Sequence, residues 1–306
     1  MPQLSLKPIL AVALLCALAA CGHGNGTATA TASAAATAAP ASSAPIKVVT
    51  TISTLDSFVQ AVGGSHVTVQ SLVPVGASPE TYQPTPQNVA VLAQANILVE
   101  NGAGLETWLA RTIANAGSKS LRIVVGTDGL TVVKNNPHLW MDPQYAKHYV
   151  LLIRDALVQF DPAHAADYRA NAAHYNLQLD ALTASIQRKI DSVPAKNRAM
   201  IVFHNAWLYY NARFGIRTLG FIEPSPGQDP NPKNIGKLID LAKANGLHAI
   251  FSEPEYSPKL AQQIARSAGI TLVTNLYDDS LGTKPEVSNY ISMLNYDTDI
   301  IVQAMR

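Results

Sequence analysis

The chain has 306 residues, and its 22 basic side chains nearly balance its 21 acidic ones. A near-neutral chain without a basic stripe gives no electrostatic reason to expect nucleic acid as a partner. Its two cysteines are Cys16 and Cys21, so residues 22–306 can form neither a disulfide nor a thiolate metal site.

The first 21 residues have the layout of a bacterial lipoprotein signal peptide. Lys7 precedes an unbroken apolar stretch from Ile9 to Ala20, as in a secretory signal. The stretch is too short to span a membrane, which takes about 20 apolar residues. It ends in Leu-Ala-Ala before Cys21, which resembles the lipobox. We therefore expect a lipid on Cys21 and an extracytoplasmic, membrane-anchored protein; an ordinary cleaved signal peptide is the alternative.

Residues 22–45 are nearly all Ala, Thr, Ser, Gly and Pro. Such a segment cannot bury enough apolar surface to offset its ordering entropy, so it predicts a flexible tether. The remaining residues, 46–306, can form one large or two smaller domains.

Strand-like and helix-like patterns alternate through residues 46–160, which is typical of a parallel α/β lobe. The predicted strands are Lys47–Ile52, Val67–Val73, Ile97–Glu100 and Arg122–Val125, and the predicted helices are Leu55–Val62, Pro86–Ala95, Leu105–Ala116 and Pro143–Gln159.

The sequence pattern of residues 161–193 predicts one long helix that connects the first lobe to the rest of the chain. Asp161 is a suitable N-cap, and Pro162 suits the first helical position. Neither glycine nor proline follows before Ser192, and leucines recur at Leu177, Leu179 and Leu182. A helix of this length would extend about 45 Å and could cross the back of two lobes.

Residues 194–306 repeat the alternation and predict a second lobe. The fold class is therefore α/β, with two small lobes of parallel four-stranded sheets joined by one long backbone helix. The predicted strands are Met200–His204, Thr218–Ile222, Ala249–Ser252 and Thr271–Leu276, and the helices are Trp207–Phe214, Pro232–Asn245, Pro258–Ala268 and Pro285–Met305.

Four candidate metal ligands follow predicted strands. Glu80 comes after VTVQSLV, His138 lies in NNPHLWMDP, His204 ends IVFH, and Asp279 follows TLVTNL. Ligands of open α/β sheets bind beyond the carboxyl ends of strands. Two imidazoles and two carboxylates placed there predict a site for a divalent cation.

Six segments in this order resemble one known family: GASPETYQPTP, NGAGLETWL, NPHLWMDP, FHNAWLYYNARFG, FSEPEYSPK and YDDSLG. Together with the lipobox they are similar to the zinc- and manganese-binding solute-binding lipoproteins of bacterial ABC importers. The resemblance covers essentially all of residues 46–306. It implies a metal buried between two lobes as transported ligand, a monomer, and a permease with its ATPase as partners.

The resemblance implies three ligands directly and departs at a fourth. His138, His204 and Asp279 match ligand positions of the family. Where the family usually has proline and histidine, this chain has Pro79 and Glu80. We expect Glu80 to ligate in place of that histidine. Two carboxylates suit Mn²⁺ better than a three-histidine site would, whereas His204 resembles the zinc type, so Zn²⁺ and Mn²⁺ both stay open.

Neighbouring residues suggest other arrangements. Tyr82 or Thr81 could point inward instead of Glu80, which would leave three protein ligands. Glu253, in FSEPEY, is expected to support the site without ligating, and Trp140 to pack beside it. Asp278 is expected to be the exposed neighbour of Asp279.

The expected function is a lipid-anchored receptor that captures Zn²⁺ or Mn²⁺ and delivers it to an ABC importer, with no catalytic residue. A metal hydrolase with three protein ligands and one water is the first alternative, although neither HExxH nor GxSxG occurs. A binding protein for a chelated metal or a cobalamin-type ligand is the second, and an adhesin role for the same lipoprotein is the third.

Overall fold

The computed structural model describes residues 44–223, 226–227 and 231–306. The predicted signal peptide with Cys21, and nearly all of the predicted tether, lie outside these residues. Within the described part, no helix is both long and apolar enough to cross a membrane. Residues 44–306 form one compact unit.

A four-stranded parallel sheet forms the first half. Its strands are β1 Ile46–Thr50, β2 Val67–Ser71, β3 Ile97–Glu100 and β4 Arg122–Val125, in the spatial order β2-β1-β3-β4. Because all four strands are parallel, the loops that leave their carboxyl ends share one edge of the sheet. The loops at 72–85 and 126–142, which carry Glu80 and His138, both begin at that edge. The helices of this half are α1 Ser53–Gly63, α2 Pro86–Ala93, α3 Leu109–Ala116 and α4 Pro143–Phe160.

The long connecting helix is α5, Ala165–Asp191, which follows a 3-10 turn at Pro162–His164. Its 27 residues extend about 40 Å. The buried stripe has a spacing of three or four residues, and it packs on α1 and α4. Leu177 is 68% exposed, because it lies about 200° around the helix from Leu179. The buried residues are Tyr168, Ala172, Tyr175, Leu179, Leu182, Ile186 and Ile190.

In the second half, β5 Ala199–Val202 pairs in parallel with β6 Arg217–Phe221, and β7 Ala249–Phe251 pairs in parallel with β8 Thr271–Val273. β5 and β7 lie side by side without a ladder of hydrogen bonds, so the predicted four-stranded sheet is two two-stranded sheets in the described residues. Strands as short as β7 and β8 offer few backbone groups for a further ladder. The helices of this half are α6 Leu208–Phe214, α7 Pro232–Ala244, α8 Lys259–Ala268 and α9 Tyr290–Ala304.

One large hydrophobic core connects the two halves. Alternate strand residues face it from both sides, such as Val48 in β1 and Val202 in β5, and helices α1, α4, α5 and α9 fill the space between. Two smaller cores lie outside the strands, under α2 and α3 on one side and under α7 and α8 on the other. The two halves are therefore held together by this shared hydrophobic core as well as by the connecting helix α5. The lobe boundaries at residues 46–160 and 194–306 remain our proposal.

Candidate metal centre

Donor atoms of four residues meet between the two sets of strands. The imidazole Nε2 atoms of His138 and His204 lie 3.3 Å apart. Asp279 places Oδ1 3.3 Å from His138 Nε2 and Oδ2 3.7 Å from His204 Nε2. Glu80 Oε1 lies 3.5 Å from His138 Nε2. All four predicted residues therefore contribute a donor atom to one cluster.

Each donor is placed by a loop at the carboxyl end of a strand. Glu80 lies between β2 and α2, and His138 immediately precedes a 3-10 turn at Leu139–Met141 that leads into α4. His204 lies two residues after β5, and Asp279 follows β8. Parallel strands bring these loops to the same place, as the sequence pattern predicted.

The spacing of the donor atoms suits a four-coordinate ion. Donors bonded to a tetrahedral ion at about 2.1 Å lie about 3.4 Å from one another. Adjacent donors of an octahedral ion with the same bond length lie about 3.0 Å apart. The distances observed here run from 3.3 to 3.7 Å.

The donor residues are also largely buried, and one of them, Asp279, lacks hydrogen-bond partners for its carboxylate among the described residues. His138, His204 and Asp279 are at most 2% exposed, whereas the Glu80 side chain is 20% exposed. In the described part of the chain, neither carboxylate oxygen of Asp279 has a hydrogen-bond partner. A buried carboxylate without partners is costly, and a bound cation would remove that cost.

The two histidines differ in the groups that face their Nδ1 atoms. His138 Nδ1 is 3.1 Å from Asn136 Oδ1, so it donates its N–H there and leaves the Nε2 lone pair facing the cluster. His204 Nδ1 faces Glu253 Oε2 at 3.6 Å and Asp278 Oδ2 at 4.0 Å, both on the side away from His138. Glu253 thus lies behind His204; its supporting role stays a prediction.

The expectation that Asp278 is exposed is wrong. Asp278 is fully buried, and its Oδ2 accepts a hydrogen bond from Trp207 Nε1 at 3.0 Å. Its Oδ1 accepts from the Asp279 N–H, and its carbonyl oxygen accepts from Trp140 Nε1 at 3.0 Å. The turn after β8 directs both neighbouring carboxylates inward. Trp140 also packs on His138, with ring centroids 5.0 Å apart.

The loop that carries Glu80 turns its neighbours away from the cluster. The Tyr82 hydroxyl donates to Asn88 Oδ1 at 2.9 Å, and its ring packs on Trp108. Thr81 is exposed. Trp108 Nε1 donates to the Pro79 carbonyl at 2.8 Å, which holds the loop just before Glu80. Neither Tyr82 nor Thr81 takes the place of Glu80.

Burial and mutual interaction shift the ionisation of the four donors. Burial and the charge of Asp279 raise the pKa of Glu80 to about 7. Burial lowers the pKa of His138. Burial would also lower the pKa of His204, but the carboxylates of Asp278 and Asp279 outweigh it and raise that pKa. The metal-free cluster therefore holds a set of buried, interacting charges that a cation would neutralise.

More buried acids surround the cluster than the sequence pattern indicated. Burial raises the pKa of Glu253, raises that of Glu255 to about 7, and raises that of Asp297 well above its ordinary value. Glu255 follows the strand-end segment that already carried Glu253, so an acidic pair after a strand was the available signal. The raised pKa values mean that these acids tend to keep their protons in the metal-free protein, and a nearby cation would favour their ionised forms.

Comparison with known proteins gives a consistent result. The family described as "Zinc-uptake complex component A periplasmic" matches residues 48–304. The manganese-binding lipoprotein MntA of Halalkalibacterium halodurans is 29% identical over 265 residues, covering 85% of this chain and 88% of the relative. The iron-binding protein YfeA of Yersinia pestis is 32% identical over 267 residues, covering 84% and 85%. The crystal structure of ZnuA has a TM-score of 0.79 at 27% identity, covering 86% of this chain and all of that one.

Proposed function

The chain belongs to the zinc-uptake complex component A family, and from that premise we propose that it captures a transition-metal ion outside the cytoplasmic membrane for delivery to an ABC importer. The family consists of substrate-binding proteins of ABC transporters, not enzymes, which sets the hydrolase alternative aside. Related proteins are named as manganese-binding and iron-binding. The partners in this proposal are a permease and its ATPase, and the anchor is a lipid on Cys21.

We propose Glu80, His138, His204 and Asp279 as the ligands of one ion. The convergence of their donor atoms at 3.3 to 3.7 Å is the observation that carries this assignment. The oxygens of Asp279 support it, because neither has a hydrogen-bond partner in the described part of the chain and their near neighbours are the imidazole nitrogens of two other proposed ligands. The near-complete burial of three donors also favours a bare ion over an organic chelate or a cobalamin-type ligand, which would need a wide cleft.

The proposed cargo is Zn²⁺ or Mn²⁺. The number of proposed protein ligands suits Zn²⁺, because Zn²⁺ prefers four ligands. Mn²⁺ would gain from the two carboxylates, and it would require further oxygen ligands such as water to complete its shell. The two ions therefore predict different coordination numbers at the same four residues.

Glu80 is the natural place for the ion to enter and leave in this proposal. It is the one donor with appreciable exposure, so a hydrated ion reaches it before the other three. Asp279 and the two histidines then replace the remaining water. Release to the permease would reverse this order, beginning with movement of the loop that carries Glu80.

The test is metal analysis of residues 22–306, which leave out the signal peptide and the lipid-bearing cysteine, followed by competition titrations with Zn²⁺ and Mn²⁺. We expect His204→Ala and Asp279→Ala each to weaken binding more than tenfold, which takes only about 1.4 kcal/mol. His174→Ala is the matched control, because His174 is exposed on α5. Equal affinity in all three variants would place the metal elsewhere.

A further inference from the structure

We propose that Asn136 is a positioning residue that holds His138 and His204 as a preformed pair of donors. The inference rests on the metal-binding function proposed above and concerns how the site is kept ready for the ion. Asn136 is 5% exposed and lies two residues before His138.

The side chain of Asn136 contacts both histidine segments. Its Oδ1 lies 3.0 Å from the His138 backbone nitrogen and 3.1 Å from His138 Nδ1. Its Nδ2 donates to the carbonyl oxygen of Asn205, the residue after His204, at 2.5 Å. A single amide thus joins the ring of one proposed ligand to the main chain beside the other.

The orientation of this amide follows from its partners. Nδ2 faces a carbonyl oxygen, which can only accept, so the NH₂ group must lie on that side. Oδ1 then faces the His138 backbone N–H, which can only donate. The same oxygen requires a proton on His138 Nδ1, which leaves Nε2 with a free lone pair toward the cluster.

Two further side chains join the same pair of segments. The Tyr209 hydroxyl donates to the Asn136 carbonyl oxygen at 2.9 Å and accepts from the Val133 N–H at 2.9 Å. Farther along, Arg213 forms a bidentate ion pair with Asp142, with Nε 3.0 Å from Oδ1 and Nη2 2.8 Å from Oδ2. Charge-assisted bidentate pairs of this kind are strong and geometrically specific.

These hydrogen bonds and the ion pair connect the segment from Asn136 to Asp142 with the segment from Asn205 to Arg213. The separation of the two imidazoles is therefore set by protein contacts and does not depend on the ion. A ligand pair that is already in place does not have to be ordered when the ion binds, so affinity is higher. In this proposal, Glu80 is the donor that moves when the ion binds, because it is the most exposed of the four.

Two substitutions of Asn136 separate its two contacts. Asn136→Ala removes both the acceptor for His138 and the donor to Asn205. Asn136→Asp keeps an acceptor for His138 but places an oxygen against the Asn205 carbonyl oxygen. Asn211→Ala is the control, because Asn211 is 2% exposed and its Nδ2 donates to Thr218 Oγ1 rather than to the cluster.

The experiment uses residues 22–306 with three readouts: Zn²⁺ affinity, the visible spectrum of bound Co²⁺, and imidazole ¹⁵N shifts of His138 without metal. We expect Asn136→Ala to lose affinity roughly 10- to 100-fold, the range seen for residues that orient metal ligands. Its Co²⁺ spectrum should change, and its His138 shifts should show both neutral tautomers. Asn136→Asp should lose less affinity and keep the Nδ1–H tautomer.

Loss of affinity in Asn136→Ala no larger than in Asn211→Ala would overturn the proposal, as would an unchanged Nδ1–H tautomer in Asn136→Ala. The shifts of His138 in the metal-free protein distinguish the outcomes even if a variant binds too weakly for titration. Wild-type protein that binds neither Zn²⁺ nor Co²⁺ would instead overturn the proposed function, so the two failures are distinguishable.

Discussion

Replacing Glu80 with glutamine should stabilise the metal-free protein and weaken its binding of metal. In the folded protein, burial and the charge of Asp279 raise the pKa of Glu80 from 4.5 to about 7. The folded state therefore holds its proton to higher pH than the unfolded chain does. Stability contributed by this group is present below pH 4.5 and is lost as the pH rises through about 7.

The magnitude follows from the same two pKa values. At pH 8 the shift corresponds to about 3 kcal/mol of lost stability, and at pH 5 to about 1 kcal/mol or less. The side chain is one-fifth exposed, and the glutamine amide must itself be accommodated, so we expect a gain of about 1–3 kcal/mol at pH 8. The metal-bound state loses an anionic donor, so Zn²⁺ affinity should fall at least tenfold.

The assay is urea unfolding of chelator-treated protein at pH 8 and pH 5, run beside Zn²⁺ titrations at pH 8. Glu286→Gln, which changes an exposed glutamate, serves as the control and should alter neither quantity. A Glu80→Gln variant that is less stable without metal, yet binds Zn²⁺ as tightly as wild type, would show that Glu80 supports the fold and does not ligate. That result would refute the four-ligand assignment.

Three further outcomes are expected. Glu80→His should increase the preference for Zn²⁺ over Mn²⁺ in competition titrations, because imidazole replaces a hard oxygen; unchanged selectivity would contradict ligation by Glu80. Metal affinity should fall more than about tenfold between pH 7.5 and pH 5, because the ion must displace protons from His204, whose pKa is raised, and from Glu80, whose pKa is about 7. A flat calorimetric profile would argue against His204 and Glu80 as ligands. Cys21→Ser should move the protein from the detergent phase to the aqueous phase in a partition experiment, and retention in the detergent phase would disprove the lipid anchor.

Local sequence patterns predicted the first and last residues of some strands. The strands Ile97–Glu100 and Arg122–Val125 have the predicted bounds. Helix α3 was predicted from Leu105 and begins at Leu109. Leu105 and Leu109 are both buried, which mimics one helical face, but the chain between β3 and α3 contains a turn.

That turn shows what the periodic pattern could not reveal. Gly102, Ala103 and Gly104 all have positive φ, with Ala103 at 52°. Glu106 stabilises the turn by accepting hydrogen bonds from the backbone N–H groups of Asn101 and Gly102 at 2.8 and 3.1 Å. The segment is therefore held by a side chain that curls back on its own loop, a contact that hydrophobic spacing does not encode.

The sequence by itself determined the class of the fold, the order of its elements and the identity of the residues that meet in the cluster. These features follow from local periodicity and from the rule that loops at the carboxyl ends of parallel strands converge. Tertiary structure alone decided that Asp278 turns inward beside Asp279, that the second half forms two strand pairs, and that Asn136 joins the two histidine segments. Each of these depends on hydrogen bonds or packing between residues far apart in the chain, or on the backbone angles of a single turn, and neither leaves a periodic trace in the sequence.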